Sequence, residues 1–238
     1  MSTHSSPRPA GPGPARRTVL LDLDGTLVDS AALITEHLAA ALVAGGGPRI
    51  APRDLRPLVG PPFEEALPAL GLSAEQTAAT IVAYRHSYDR VAATSTPLFP
   101  GSAQLLGTLR RSGLRLAVAT SKPEHLARRI VTGVGIAEHF ALVGGADHVL
   151  GRIGKAAVIG AVLDRLGLDP GREPVVMVGD RHHDVEGAAE YGIPTIGVTW
   201  GYAEPGELIG ARLTVSDPAR LAAELTGDGI WMAAPASA

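Results

Sequence analysis

Val19-Leu-Leu-Asp-Leu-Asp-Gly-Thr-Leu-Val-Asp-Ser30 opens with an apolar run of the kind carried by a strand buried on both faces, and it sets Asp22 and Asp24 where that strand ends. Residues two apart on a strand share a face, so the two carboxylates are expected side by side, with Gly25 allowing a sharp turn behind them. Such a pair repels itself unless a proton or a cation intervenes. An aspartate can attack phosphorus to form an acyl-phosphate, and a second acid beside it can hand a proton to the leaving oxygen. Asp-x-Asp-Gly is also a plain turn with solvated acids, since both residue types are ordinary turn formers. These residues alone leave the two readings level.

The 238 residues suffice for a substantial core, as one domain with an insertion or as two small ones. With 21 basic and 24 acidic residues and a formal charge of -3, there is no electrostatic case for nucleic acid or an anionic membrane as partner. The chain has no cysteine, which excludes disulfides, thiolate zinc sites and cysteine nucleophiles, so any metal must be held by oxygen or imidazole. Residues 1–17, rich in Ser, Pro, Gly and Ala, read as a disordered leader, and 227–238 as a flexible tail. No apolar run reaches membrane-spanning length, so a cytoplasmic location is expected by default.

Beyond Ser30 the pattern is helical. Residues 30–44 carry apolar positions at helical spacing and stop at Gly45-Gly46-Gly47, which lacks the Gly-Lys-Ser/Thr of a nucleotide loop. Val59-Gly-Pro-Pro62 is a rigid turn before a short helix over 63–67, and Ser73-Ala-Glu-Gln76 has the form of a capping box opening a long helix to about Ala93. Pro97-Leu-Phe-Pro-Gly101 breaks this pattern, and strand and helix then alternate. Helices are expected at 102–112 and 154–166, and strands at 114–119, 140–143, 175–178 and 194–198. Thr120-Ser-Lys-Pro123 and Gly179-Asp180-Arg-His-His-Asp184 follow two of these strands and lead into helices. Such alternation calls for an α/β fold, a Rossmann-like parallel sheet with helices on both faces, over 18–29 and 97–226. Residues 30–96 are expected to form an inserted α-helical cap with hinges near Asp29 and Thr96.

In an open parallel sheet, ligands bind beyond the carboxyl ends of the strands. Asp22 and Asp24, Thr120 and Ser121, and Asp180 and Asp184 all fall at such ends, and scattered turn acids need not sort so consistently. An oxygen-only set of carboxylates suits a hard divalent cation, Mg2+ best. Thr120 offers a hydroxyl and Ser121 a backbone donor to phosphate oxygens, while Lys155 would supply fixed positive charge beside the nucleophile, although taken in isolation it reads better as a solvated helix lysine. His182 and His183, as neighbours, are expected to face different ways and share no metal. Tyr84 and Tyr88 are expected to pack together, and Arg181 to pair with the acids.

The motifs Asp22-Leu-Asp-Gly-Thr26, Thr120, Lys155 and Gly179-Asp180-x-x-x-Asp184 together resemble the four signatures of the haloacid dehalogenase-like superfamily, in the phosphatase branch with a helical cap after the first motif. The resemblance covers about Val19 to Leu225. Val59-Gly-Pro-Pro62, Ala119-Thr-Ser-Lys-Pro-Glu124 and Gly197-Val-Thr-Trp-Gly-Tyr202 look closest to phosphoglycolate-phosphatase-like and 5'-nucleotidase-like members, whereas Gly144-Gly-Ala-Asp147 fits that subgroup only loosely. The resemblance implies that Asp22 attacks phosphorus and that Asp24 protonates the leaving alcohol and then activates water. It implies Mg2+ held by the Asp22 carboxylate, the Asp24 backbone carbonyl, Asp180 and Asp184. Gly25, Thr26, Thr120, Ser121 and Lys155 are the implied phosphate-binding set, with substrate choice at Gly60 to Phe63 and at Arg85. The expected enzyme is a monomer or homodimer hydrolysing a small phosphorylated metabolite. A sugar phosphomutase and a phospho-aspartate signalling module are the alternatives, and dehalogenation, which does without the second aspartate, fits least.

Overall fold

The computed structural model describes residues 16–232. Its six strands are β1 (Thr18–Leu21), β2 (Arg115–Pro123), β3 (Leu142–Ala146), β4 (Val175–Gly179), β5 (Thr195–Val198) and β6 (Leu213–Val215). They form one sheet in the order β3-β2-β1-β4-β5-β6, and every neighbouring pair is parallel. This is the α/β architecture expected from the alternating pattern. The helices are α1 (Ala31–Ala44), α2 (Phe63–Ala66), α3 (Ala74–Ser95), α4 (Ser102–Arg111), α5 (Glu124–Gly133), α6 (Lys155–Leu166), α7 (His182–Ala189) and α8 (Pro218–Thr226).

The continuous apolar run of β1 has a direct cause. Leu20 points into a core built with Val158, Ile159 and Val162 of α6, whereas Val19 and Leu21 point into the opposite core, which holds Leu105, Leu106 and Leu109 of α4. With helices covering both faces, no position on the strand is left to polar residues.

The helical layer between β1 and α4 leaves and rejoins the sheet through two segments that pair with each other. The Asp29 amide donates to the Pro97 carbonyl at 2.9 Å, and the Phe99 amide to the Leu27 carbonyl at 3.0 Å. In that layer α3 starts with a reciprocal capping box: the Gln76 amide donates to the Ser73 hydroxyl at 3.1 Å, and the Ser73 amide to the Gln76 side chain at 3.0 Å. No helix among the described residues is long and apolar enough to cross a membrane.

Several elements depart from the sequence reading. Strand β2 continues past Ala119 to Pro123 through a register irregularity after Thr120. Strand β3 lies at 142–146 instead of 140–143, because two glycines without apolar character fill it. A Cβ on Gly144 would sit 2.3 Å from Val162, and one on Gly145 2.6 Å from the Lys122 carbonyl, so close approach selects glycine here over the β-formers that mark a strand in sequence. Strand β6 and helix α8 were not anticipated; α8 is capped by Asp217, whose side chain accepts from the Arg220 amide at 2.8 Å. Part of the expected tail also packs: Ile230 is buried, and Arg17 pairs with Asp228. Residues 1–15 and 233–238 lie outside the described residues.

Helix α3 crosses α5 at Gly133, where a Cβ would meet the Ala93 carbonyl oxygen at 1.9 Å. Alanine has the better helix propensity by about 1 kcal/mol. Gly133→Ala should nevertheless destabilise the protein by about 1–3 kcal/mol, because the added methyl forces the two helices apart. Urea unfolding of the variant against the parent measures the sign.

Candidate active site

Strands β1 and β4 are neighbours at the centre of the sheet, and the chain runs outward from them in opposite directions, to β3 on one side and to β6 on the other. That divergence opens a crevice at their carboxyl ends. Asp22 follows β1 and Asp180 follows β4, so the topology brings together two acids that are 158 residues apart (180 minus 22). Asp184, in the first turn of α7, joins them, and carboxylate oxygens of all three lie within 4.8 Å of one another.

Lys155, the first residue of α6, reaches into this cluster. Its Nζ stands 2.7 Å from Asp22 Oδ1 and 2.7 Å from Asp184 Oδ1, and it donates to the Ala119 carbonyl at 3.0 Å. Asp180, fully buried, accepts from the Thr26 hydroxyl at 3.2 Å and from the Tyr202 amide at 2.7 Å. Asp184 accepts from the Arg181 amide at 3.1 Å. Glycine closes the wall around Asp180. A Cβ on Gly25, whose φ is +84°, would lie 2.1 Å from Asp180 Oδ2, and a Cβ on Gly201 would lie 2.4 Å from the same atom.

Three buried carboxylates therefore face one ammonium. Burial, opposed by Lys155 and reinforced by repulsion from Asp184, pushes the Asp22 carboxyl up to about 6 from its ordinary 3.8. Burial, with repulsion from Asp184 and Asp22, lifts Asp180 well above the usual carboxylate range. Burial works against the charge on Lys155, but Asp184 and Asp22 outweigh it and hold its pKa above the ordinary value. An all-oxygen donor set with this excess of negative charge fits a hard divalent cation.

Asp24 is not one of the three acids whose oxygens fall within 4.8 Å of one another, but it borders the same niche as Asp22, and its charge helps to raise the Asp22 carboxyl. Strand β1 ends at Leu21, yet Val19, Leu21 and Leu23 all enter one core, so the alternation continues past the strand. The Asp24 carboxylate accepts from the Ser30 hydroxyl and pairs with Lys122 Nζ at 3.0 Å. Asp22, Thr120 and Lys155 line a small niche, and a cavity of about 520 Å3 lies beyond it, walled by Phe63, Tyr84 and Tyr88 from the helical layer. Asp24, Gly60, Ser121 and Lys122 line both spaces. Asp24 thus sits where the niche opens into the cavity.

The remaining expected site residues divide. Gly60 and Ser121 border both spaces, and Arg85 borders the larger one, where its guanidinium is tied to Glu64 at 2.8 Å. Gly25 and Thr26 line neither space. Their part is to shape and hold Asp180, because the hairpin turn directs the Thr26 hydroxyl to that carboxylate. Arg181 does not pair with the cluster acids through its side chain. Its guanidinium grips Glu207 at 2.8 and 2.9 Å and donates to the Val59 carbonyl of the helical layer. His182 and His183 do not face apart: they open α7, and their rings lie 3.8 Å apart. With Glu186 they could offer three ligand atoms within 4.8 Å of one another. Tyr84 and Tyr88 stack, with ring centres 4.9 Å apart and an interplanar angle of 15°. Lys122 was missed by the sequence reading, since a lysine in a strand-end loop looks solvated and its partner Tyr88 lies 34 residues away.

The sequence matches the family described as haloacid dehalogenase-like hydrolase over residues 19–198. Over 196 residues it is 45% identical to a protein of Mycobacterium tuberculosis named tyrosine-protein kinase PtkA, covering 82% of this chain and 66% of that protein's length. It is 33% identical over 233 residues to the phosphoglycolate phosphatase of Rhodospirillum rubrum, with 92% of each chain covered. The crystal structure of a predicted phosphatase from Clostridium acetobutylicum superposes with a TM-score of 0.82 at 29% identity, covering 89% of this chain and 99% of that one.

Because Asp22 is held at about 6 against an ordinary 3.8, its ionisation destabilises the folded state. That cost is absent below about pH 4, grows through the interval up to about pH 6 and is complete above it. In the presence of a chelator, Asp22→Asn should therefore be more stable than the parent by about 1–3 kcal/mol at neutral pH, with the gap closing near pH 4. Urea titrations at the two pH values read the difference.

Proposed function

We propose that the chain, which belongs to the haloacid dehalogenase-like hydrolase family, is a phosphatase that hydrolyses a small phosphomonoester with Mg2+ and a nucleophilic Asp22. The observation that carries this reading is the position of Asp24 at the junction between the niche of Asp22, Thr120 and Lys155 and the larger cavity. A phosphoryl group in the niche and its alcohol in the cavity put the ester oxygen beside Asp24.

In the first half-reaction an Asp22 carboxylate oxygen attacks phosphorus, the P–O bond to the alcohol breaks, and Asp24 in its protonated form gives that oxygen its proton. In the second, the Asp24 carboxylate takes a proton from water, the resulting hydroxide attacks phosphorus, and phosphate leaves while Asp22 is regenerated. Lys155 fixes Asp22 by its 2.7 Å contact and adds positive charge beside the phosphoryl oxygens. The Thr120 hydroxyl and the Ser121 amide offer donors to those oxygens. Asp22, Asp180 and Asp184, with the Asp24 carbonyl, would hold Mg2+, whose charge offsets the repulsion between the carboxylate nucleophile and an anionic substrate. The helical layer, resting on the site through Tyr84, Tyr88 and the Val59–Arg181 contact, keeps out bulk water.

A cavity of about 520 Å3 accepts a metabolite-sized leaving group. Its aromatic wall suits a planar one, so nucleoside monophosphates belong beside phosphoglycolate as candidates. The relative from Rhodospirillum rubrum supports the latter. A second reading is transfer of the phosphoryl group to a tyrosine hydroxyl, favoured by the 45% identity to the Mycobacterium protein named as a tyrosine kinase. With ATP and a tyrosine peptide, phosphopeptide formation would support transfer, whereas free phosphate alone supports hydrolysis.

Purified protein with Mg2+ should release phosphate from p-nitrophenyl phosphate, and Asp22→Asn should abolish this. Asp24→Asn should lower turnover by about 10²–10⁴-fold, and Asp180→Asn should raise the Mg2+ concentration needed for half-maximal rate. Acid quenching and peptide mass spectrometry should find the phosphate adduct on Asp22; an active enzyme phosphorylated elsewhere refutes the assignment.

A further inference from the structure

Lys122 is the buried cation of the larger cavity's wall, with 6% of its side chain exposed. Besides its 3.0 Å contact to Asp24 Oδ2, it donates to the Tyr88 hydroxyl at 3.2 Å, and its Nζ lies 4.9 Å from the centre of the Tyr88 ring. Its backbone amide donates to Thr120 Oγ1 at 3.2 Å. One side chain therefore ties together the loop after β1, the end of β2 and the middle of α3.

The Asp24 carboxylate has two side-chain torsions, and both of its oxygens are held: Oδ1 by the Ser30 hydroxyl and Oδ2 by Lys122. Ser30, the N-cap of α1, stands six residues from Asp24 in the chain. Lys122 belongs to β2 of the sheet, and its other partner, Tyr88, belongs to α3 of the helical layer. Both contacts of the ammonium are satisfied together only when that layer is seated on the sheet. We infer that Lys122 is a positioning residue that aims the Asp24 carboxylate at the ester oxygen, and that Tyr88 links this aim to the seating of the helical layer. The inference rests on the phosphatase reading and adds to it a residue that acts through the general acid and not on phosphorus.

A group that acts through proton donation matters most when the departing oxygen is basic. Phenyl phosphate and p-nitrophenyl phosphate share a shape and a phosphoryl group, but phenol, with a pKa of about 10 like tyrosine, needs the proton far more than the nitro-substituted phenol. The quantity to measure is kcat/KM, which reports events up to departure of the alcohol, for both esters at saturating Mg2+ in the full chain. Lys122→Met should lower kcat/KM for phenyl phosphate at least about tenfold more than for p-nitrophenyl phosphate. Lys122→Arg should recover part of the phenyl phosphate rate, and Tyr88→Phe should shift the ratio of the two esters in the same direction by a smaller factor. Equal losses on both esters would overturn the inference and reduce Lys122 to a packing ion pair. A loss confined to KM would overturn it in favour of substrate contact. Should Lys122→Met fail to fold, Lys122→Arg and Tyr88→Phe still give the ratio. Hydrolysis by the parent and its loss in Asp22→Asn test the phosphatase reading separately.

Discussion

The Lys155 ammonium, buried between Asp22 and Asp184 at 2.7 Å from each, is the contact on which the organisation of the site depends. Without it three carboxylates would share a desolvated space with no positive charge, a configuration that resolves only by protonation or by opening the fold. With it the nucleophile is fixed in direction and remains short of neutralisation, so the cluster stays receptive to a cation. The protein accepts a local electrostatic cost at the one place where a nucleophile and an anionic substrate must meet.

The sheet supplies the frame for that contact. Because β1 and β4 are adjacent and the chain diverges from them, residues far apart in sequence arrive at one crevice with backbones held by parallel pairing. Lys155 reaches the same point from the start of α6, whose apolar face packs on the sheet through Val158, Ile159 and Val162. A rigid two-sided core thus holds the charged groups to short distances. The helical layer rests on the frame through polar contacts made by residues next to the motif acids and hydroxyls: Arg181, after Asp180, donates to the Val59 carbonyl, and Lys122, two residues after Thr120, donates to Tyr88.

Much of the fold was legible where side-chain pattern and backbone demand coincide. The apolar runs of β1 and β4 and the capping box at Ser73 are local signals with local causes. Legibility failed where packing overrode pattern. Gly144 and Gly145 hide β3 because close neighbours exclude any side chain, and β6 spans only three residues, too few to show a period. In the site, the acids and Thr120 stood out by their spacing at strand ends, whereas Lys155, at the start of α6, stood out only through the four motifs taken together. Lys122 and the Arg181–Glu207 pair did not, because each gains its meaning from a partner that sequence distance conceals; the two adjacent histidines did not because their ring directions are set by the local backbone and packing.

The sequence by itself determined the α/β alternation, the insertion of helices after β1 and the chemical character of the residues at the strand ends, because these follow from periodicity, turn chemistry and charge, all of which are local. Only the tertiary structure decided that Asp22 and Asp184 share one ammonium with Asp180 close by, that Asp24, bordering the same niche, is held by Lys122 and Ser30, and that Thr26 serves Asp180. Contacts such as Asp22 to Lys155 and Thr26 to Asp180 depend on distances of a few ångströms between segments far apart in the chain, and such distances are set by how the sheet is ordered and packed.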